Sequence, residues 1–287
     1  MSGHTEKIET PKRMSNDFSG ANLSRQVTVT LNPADYERLF FQPSQAKGDL
    51  SKRLGNPTLL GLLGFLIPFQ TTMFCLLEFR GANATSLTAI SGAFYFLGGI
   101  AMNIAGIFEL ILGNTFPGAV FIVYGSHWCQ AGYSSDPAHN LAGAYTAGDV
   151  PGALDGAYNS GNAMYNLTMT LISFIFFLGS LRTNAPFSLA IFCLIPLFAL
   201  LAAGDFYIGY NPTAEGIAHA GYLIKIGGGF GFVTALCGWY LAIITVCAST
   251  GVPCPLPIFD LSTKFAAKSR AAQLEHAGAV REPAEKA

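Results

Sequence analysis

Apolar positions gather along the chain into six long runs, parted by short polar breaks. The runs cover about Thr58–Phe79, Leu87–Leu112, Thr115–Gln130, Met164–Leu181, Phe187–Tyr207 and Ile226–Cys247. A helix needs about 20 apolar residues to cross the hydrocarbon of a bilayer, so each run is predicted as a transmembrane helix; the third is short for the task. In lipid the backbone must satisfy its own hydrogen bonds, which favours helices for runs of this length. The predicted fold class is an all-α integral membrane protein with six transmembrane helices over residues 56–247. On either side the pattern breaks down. Residues 1–31 are polar and predicted as a disordered tail. Residues 32–55 mix aromatics with charge and are predicted to lie along the membrane surface. Residues 248–287 form a second polar tail.

Charge follows the same division. Residues 1–57 hold eight Lys/Arg and six Asp/Glu, residues 248–287 hold five and four, and the 190 residues between hold three and seven. Charged residues make up 11% of the chain, against about 25% in soluble domains. The middle block lacks the side chains to coat a soluble globule. This composition excludes a nucleic-acid binder, a secreted disulfide scaffold and a wholly disordered chain. The six cysteines form no CxxC pair and sit mostly in apolar runs, where Cys behaves as a small hydrophobe; neither a zinc site nor a disulfide framework is expected. The N-terminal segment has no apolar core of the signal-peptide kind, so insertion is expected to rely on the first span.

Lys and Arg sort to one side of a six-span topology. Lys47, Lys52 and Arg53 precede the first span, Arg182 lies between the fourth and fifth, and Lys264, Lys268 and Arg270 follow the sixth. Arg80 alone dissents. Both termini are therefore expected in the cytosol. The loop 131–161, with Asp136, Asp149 and Asp155 and no Lys or Arg, is expected outside, as is the sequon at Asn83.

Ionisable residues inside the spans are few, and each has two readings. Glu109 extends a stripe of Gly92, Gly99, Asn103 and Gly106 on one face of the second span. It is either a carboxylate facing a conduit or an interfacial Glu paired with a polar neighbour. Lys225, at the start of the sixth span, either anchors by snorkelling or draws carboxylates to an entrance. His127 in the third span is either a hydrogen-bonded interior residue or a proton relay. Tyr124 is either an interface aromatic or a group that orients a polar solute. Pro68 and Pro196 permit kinks within their spans. The many span glycines are read first as helix-packing positions. No HExxH, GxSxG or Gly-rich phosphate loop is present, so no enzyme chemistry, cofactor or metal is expected.

Several stretches carry a family resemblance. Asn56-Pro57-Thr58-Leu59-Leu60-Gly61-Leu62 resembles NPAPLGL. Phe96-Leu97-Gly98-Gly99, Ala105-Gly106 with Glu109, and Gly113-Asn114-Thr115-Phe116 resemble FYGG…AG-x-x-E…GNTF. Tyr124-Gly125-Ser126-His127-Trp128 resembles SYGSFW, and Lys225-Ile226-Gly227-Gly228 with Trp239-Tyr240 resembles KAGG…WY. Over about residues 50–247 the chain is similar to the acetate uptake transporter family, which includes fungal acetate and ammonia-export type proteins and bacterial succinate–acetate transporters. The resemblance implies a plasma-membrane homohexamer with one solute path per protomer, carrying acetate or related short carboxylates, with proton coupling. By position, Phe65, Tyr124 and Leu194 would narrow the path, Asn56 and Pro57 would line its cytosolic end, and Thr71 and Thr72 would offer hydrogen bonds. Asn103, Asn114, Thr115, His127 and Lys225 complete the polar candidates beside Glu109. The chain departs from the family pattern at Leu97, Met102, Val123 and His127; hydrogen-bonding groups are lost and a titratable one is gained. Ammonia or ammonium export and a non-transporting sensor or scaffold are the alternatives.

Overall fold

The structure, a computed structural model, describes residues 54–262 and 264. The predictions for the tail 1–31, for most of the segment 32–55 and for most of the C-terminal tail lie outside those residues. Among the described residues the secondary structure is helical apart from two isolated β-bridges. Six long helical elements follow in order: α1 (Thr58–Leu76), α2 (Ala84–Ile111), α3 (Thr115–Ser135), α4 (Gly156–Ser180), α5 (Ala185–Tyr210) and α6 (Ala214–Thr250).

Five of them, α1, α2, α4, α5 and α6, are long and apolar enough to cross a membrane. Helix α3 runs 21 residues in the place of the expected third span. Ser126, His127, Gln130, Ser134 and Ser135 dilute its apolar character, so length and composition give five spans where six were expected. Helix α6 has 37 residues, about 55 Å at 1.5 Å per residue, so it reaches well beyond a hydrocarbon core of about 30 Å. It starts at Ala214, where the Thr213 hydroxyl accepts from the Gly216 N–H at 3.2 Å. The expected outer loop around His219 is therefore helical. Helix α4 likewise begins ahead of its apolar run, because Asp155 caps it, accepting from Ala157 and Tyr158 N–H at 2.9 Å.

Helix α2 is not uniform. A 3-10 stretch (Ala84–Ile90) leads through one α turn into a π-helix (Phe94–Ala101), which returns to α geometry over Met102–Ile111. π-Helical turns are uncommon and tend to fall at functional positions. Here the wide turn buries Phe94, Gly98 and Gly99. At its close the Asn103 side-chain amide donates to the Gly99 carbonyl at 2.7 Å.

The helices form two halves, α1–α3 and α4–α6, which meet most closely along α1 and α6. Glycines permit that approach: Gly228 faces Leu76 and Leu77, Gly231 faces Met73, and Gly238 faces Leu66. On the far side the halves are tied by side chains reaching from α3 to α4. After α6, Gly251 turns the chain in the left-handed conformation (φ 72°), and residues 252–261 fold back to bridge Asn184 and Asp260.

Candidate functional site

Between the halves lies a cavity of about 190 Å³. Helices α1, α2, α3 and α5 line it, and its walls are mostly Phe, Leu, Met and Trp. The three residues expected to narrow the path, Phe65, Tyr124 and Leu194, all face it, from three different helices. Phe65 is held by a stack on Phe69 (centroids 4.5 Å apart), and Leu194 is almost wholly buried on α5. Along α5, Leu194, Leu197, Phe198 and Leu201 line the cavity at helical spacing.

Polar groups on the wall are few and mostly engaged. The Tyr124 hydroxyl lies 2.9 Å from Ser173 Oγ on α4. Ser173 spends its own proton on the Met169 carbonyl at 2.8 Å, so the Tyr124 O–H is the donor. The Thr72 hydroxyl bonds back to the Pro68 carbonyl at 2.8 Å, one turn earlier on its own helix. His127 Nδ1 sits 2.9 Å from the Tyr165 hydroxyl on α4, and the two rings stack 12° from parallel. Ser135 marks one end of the wall on α3.

The other sequence candidates serve the framework. Glu109 is fully buried and does not line the cavity. Thr58 Oγ1 donates to its Oε1 at 2.5 Å and Asn114 Nδ2 to its Oε2 at 2.7 Å. These bonds join the end of α2 to the starts of α1 and α3. From Gly99 to Gly106 the small stripe leading to Glu109 is a packing seam for α3, whereas Gly92 stands beside open space. Gly98 lies against Trp128 and Gly99 against Cys129. A Cβ on Gly106 would meet Ile122 at 2.6 Å, and one on Gly125 would meet Asn103 at 2.9 Å. Of the two readings of Glu109, the paired one matches this geometry.

Asn56 accepts from the Thr58 N–H at 2.8 Å and Pro57 stands at the N-cap of α1, and neither lines the cavity. Gly61 makes room for the Phe121 ring, 2.7 Å from where its Cβ would stand. Thr71 bonds to the Ile67 carbonyl at 2.8 Å and does not face the cavity, and Thr115 is exposed. Lys225 pairs with Glu78 at 2.6 Å, both side chains about half exposed. Such pairs contribute little, about 0–1 kcal/mol. Asn166 Nδ2 donates to Asp205 at 2.8 Å, one turn beyond Leu201 on the cavity-lining face of α5.

Sequence reasoning passed over Phe69, Trp128, Tyr165, Ser173 and Phe198, which build the cavity or hold its polar groups. For α4 a signal exists: Tyr165, Met169 and Ser173 recur every four residues, and the two hydroxyls meet His127 and Tyr124 of α3.

Comparisons with known proteins agree with this architecture. The sequence pattern described as the GPR1/FUN34/yaaH family matches residues 40–263. Protein alcS of Aspergillus fumigatus is 33% identical over 248 residues, 85% of this chain and 89% of that protein. Acetate transporter protein patA of Penicillium expansum is 30% identical over 231 residues, 80% of this chain and 84% of that one. Among solved structures, that of the bacterial acetate channel SatP superposes with a TM-score of 0.54 at 27% identity, covering 71% of this chain and 99% of that one.

Proposed function

The chain belongs to the GPR1/FUN34/yaaH family, and from that premise we propose that it is a membrane conduit for acetate and related short monocarboxylates. The observation that carries this reading is the cavity between the halves, on which Phe65, Tyr124 and Leu194 converge from α1, α3 and α5. An apolar chamber disfavours a bare carboxylate and admits its protonated form at far lower cost. It can also hold back ions by dewetting. Movement of the neutral acid, or of the anion with a proton, follows from those costs.

In this reading α3 also crosses the membrane, as the third of six spans, shielded by its seam with α2, and the protomers assemble as a hexamer in the plasma membrane with both termini in the cytosol. Exposed Phe96, Leu171 and Ile175 give the outer faces of α2 and α4 the apolar surface that lipid or a neighbouring protomer would cover. The Lys/Arg distribution supports the orientation. An ammonium path would want carboxylates or carbonyls at its neck; Glu109 is bonded elsewhere, and among the described residues no acidic side chain lines the chamber.

The test is labelled-acetate flux in proteoliposomes with and without an inward proton gradient, beside protein-free vesicles and a Tyr124→Ala variant. Saturable uptake that changes in the variant is expected, and its response to the gradient decides coupling. Absence of uptake by folded, inserted protein would overturn the proposal and leave ammonium movement or sensing as the readings to pursue.

A further inference from the structure

Within the cavity, hydrogen-bonding capacity is distributed unevenly. Tyr124 donates to Ser173, and Thr72 donates to its own helix. Ser135 stands two turns from His127, at one end of the wall. His127 uses only Nδ1; its Nε2 has no hydrogen-bond partner among the described residues. The ring is fixed on several sides. It stacks on Tyr165 at 5.7 Å and meets the edge of Phe198 at 5.1 Å and Trp128 at 5.8 Å.

The partner decides the chemistry of the free nitrogen. The Tyr165 hydroxyl has no other acceptor among the described residues, and Nδ1 can accept its proton. With Tyr165 donating to Nδ1, the neutral imidazole carries its proton on Nε2. The chamber then presents this fixed N–H, beside the indole N–H of Trp128, among aromatic and aliphatic walls.

We infer that His127 Nε2–H is the contact that binds the solute's carboxyl oxygen, with Tyr165 as the positioning residue that sets its tautomer. The inference rests on the carboxylate reading above and gives it a specific recognition group. A fixed donor suits a solute with acceptor oxygens, in the acid or the anion. It offers nothing to ammonium, which is a donor only. The volume agrees: an apolar cavity of about 150 Å³ holds benzene, so about 190 Å³ takes acetate, with room for one or two further methylenes. The sequence feature that produces this site is the His standing where the family pattern has Phe.

The experiment measures acetate uptake against concentration in proteoliposomes for the full chain and for His127→Phe, His127→Gln and Tyr165→Phe. Phe keeps the planar ring and its stack but removes the donor. Gln returns an N–H near the Nε2 position. One lost hydrogen bond predicts a rise of about tenfold in half-saturating acetate for H127F. A smaller rise, about threefold, is expected for H127Q and Y165F, with maximal flux per folded protein changed less than half-saturation. In protein labelled with ¹⁵N-histidine, the His127 Nε2 resonance, assigned by its loss in H127F, should shift on adding sodium acetate and not on adding sodium chloride. An unchanged half-saturation in H127F overturns the inference while wild-type flux leaves the carboxylate reading standing. Equal loss in H127F and H127Q with a resonance indifferent to acetate also overturns it, assigning His127 to structure alone. No wild-type flux above bare vesicles removes the parent reading and this one together.

Discussion

Glu109 is the residue whose role the structure changes most, and replacing it gives the sharpest check on the framework. The carboxylate is fully buried in the last turn of α2, where that helix's own dipole disfavours negative charge. It stands instead at the starts of α1 and α3, whose N-terminal dipole ends favour an anion, and both its oxygens accept side-chain hydrogen bonds. A hydrogen bond to a charged group contributes about 1.5–3 kcal/mol. Glu109→Ala removes at least the two seen among the described residues, leaving Thr58 and Asn114 as stranded donors, for an expected loss of about 3–6 kcal/mol or more. Glu109→Gln keeps one acceptor and turns an amide N–H toward a donor, so about half that loss is expected. The assay is thermal denaturation of detergent-solubilised protein followed by size-exclusion chromatography, paired with acetate flux per folded protein. The ordering wild type, Gln, Ala in stability, with half-saturation unchanged in whatever remains folded, is the expected result. Full stability in both variants together with altered half-saturation would refute the bracket and return Glu109 to the solute path.

Gly98→Ala drives a methyl into the Trp128 ring, which is buried and stacked on Phe94. Overpacking of this kind costs about 1–3 kcal/mol, so a lower denaturation midpoint and reduced acetate flux should appear together, whereas Gly92→Ala, beside open space, should leave both unmoved. Phe65→Ala enlarges the cavity at its wall and should raise butyrate uptake relative to acetate in a competition assay; an unaltered ratio would place the selecting wall elsewhere. Lys225→Ala breaks only a half-exposed ion pair, so a change of under about 1 kcal/mol in stability is expected. A large drop in acetate uptake from that substitution would mean that the lysine gathers anions.

The membrane class, the approximate position of each long helix among the described residues and the family follow from the sequence, because burial in lipid demands long apolar runs and the motifs keep their order and spacing. Phe65, Tyr124 and Leu194 were found by matching motifs, and their meeting at one cavity is a tertiary fact: they lie on three helices separated by tens of residues. Helical periodicity put Gly99, Asn103, Gly106 and Glu109 on one stripe, but periodicity cannot say what that stripe faces. The fold turns it to α3 and leaves the cavity to other faces. Capping extended α4 and α6 beyond their apolar runs, since Asp155 and Thr213 can start a helix in water where hydropathy gives no signal. His127 was visible as an oddity in its motif. Its significance depends on Tyr165, thirty-eight residues along, because only the packing of α4 beside α3 fixes which nitrogen is occupied and which is left to the cavity.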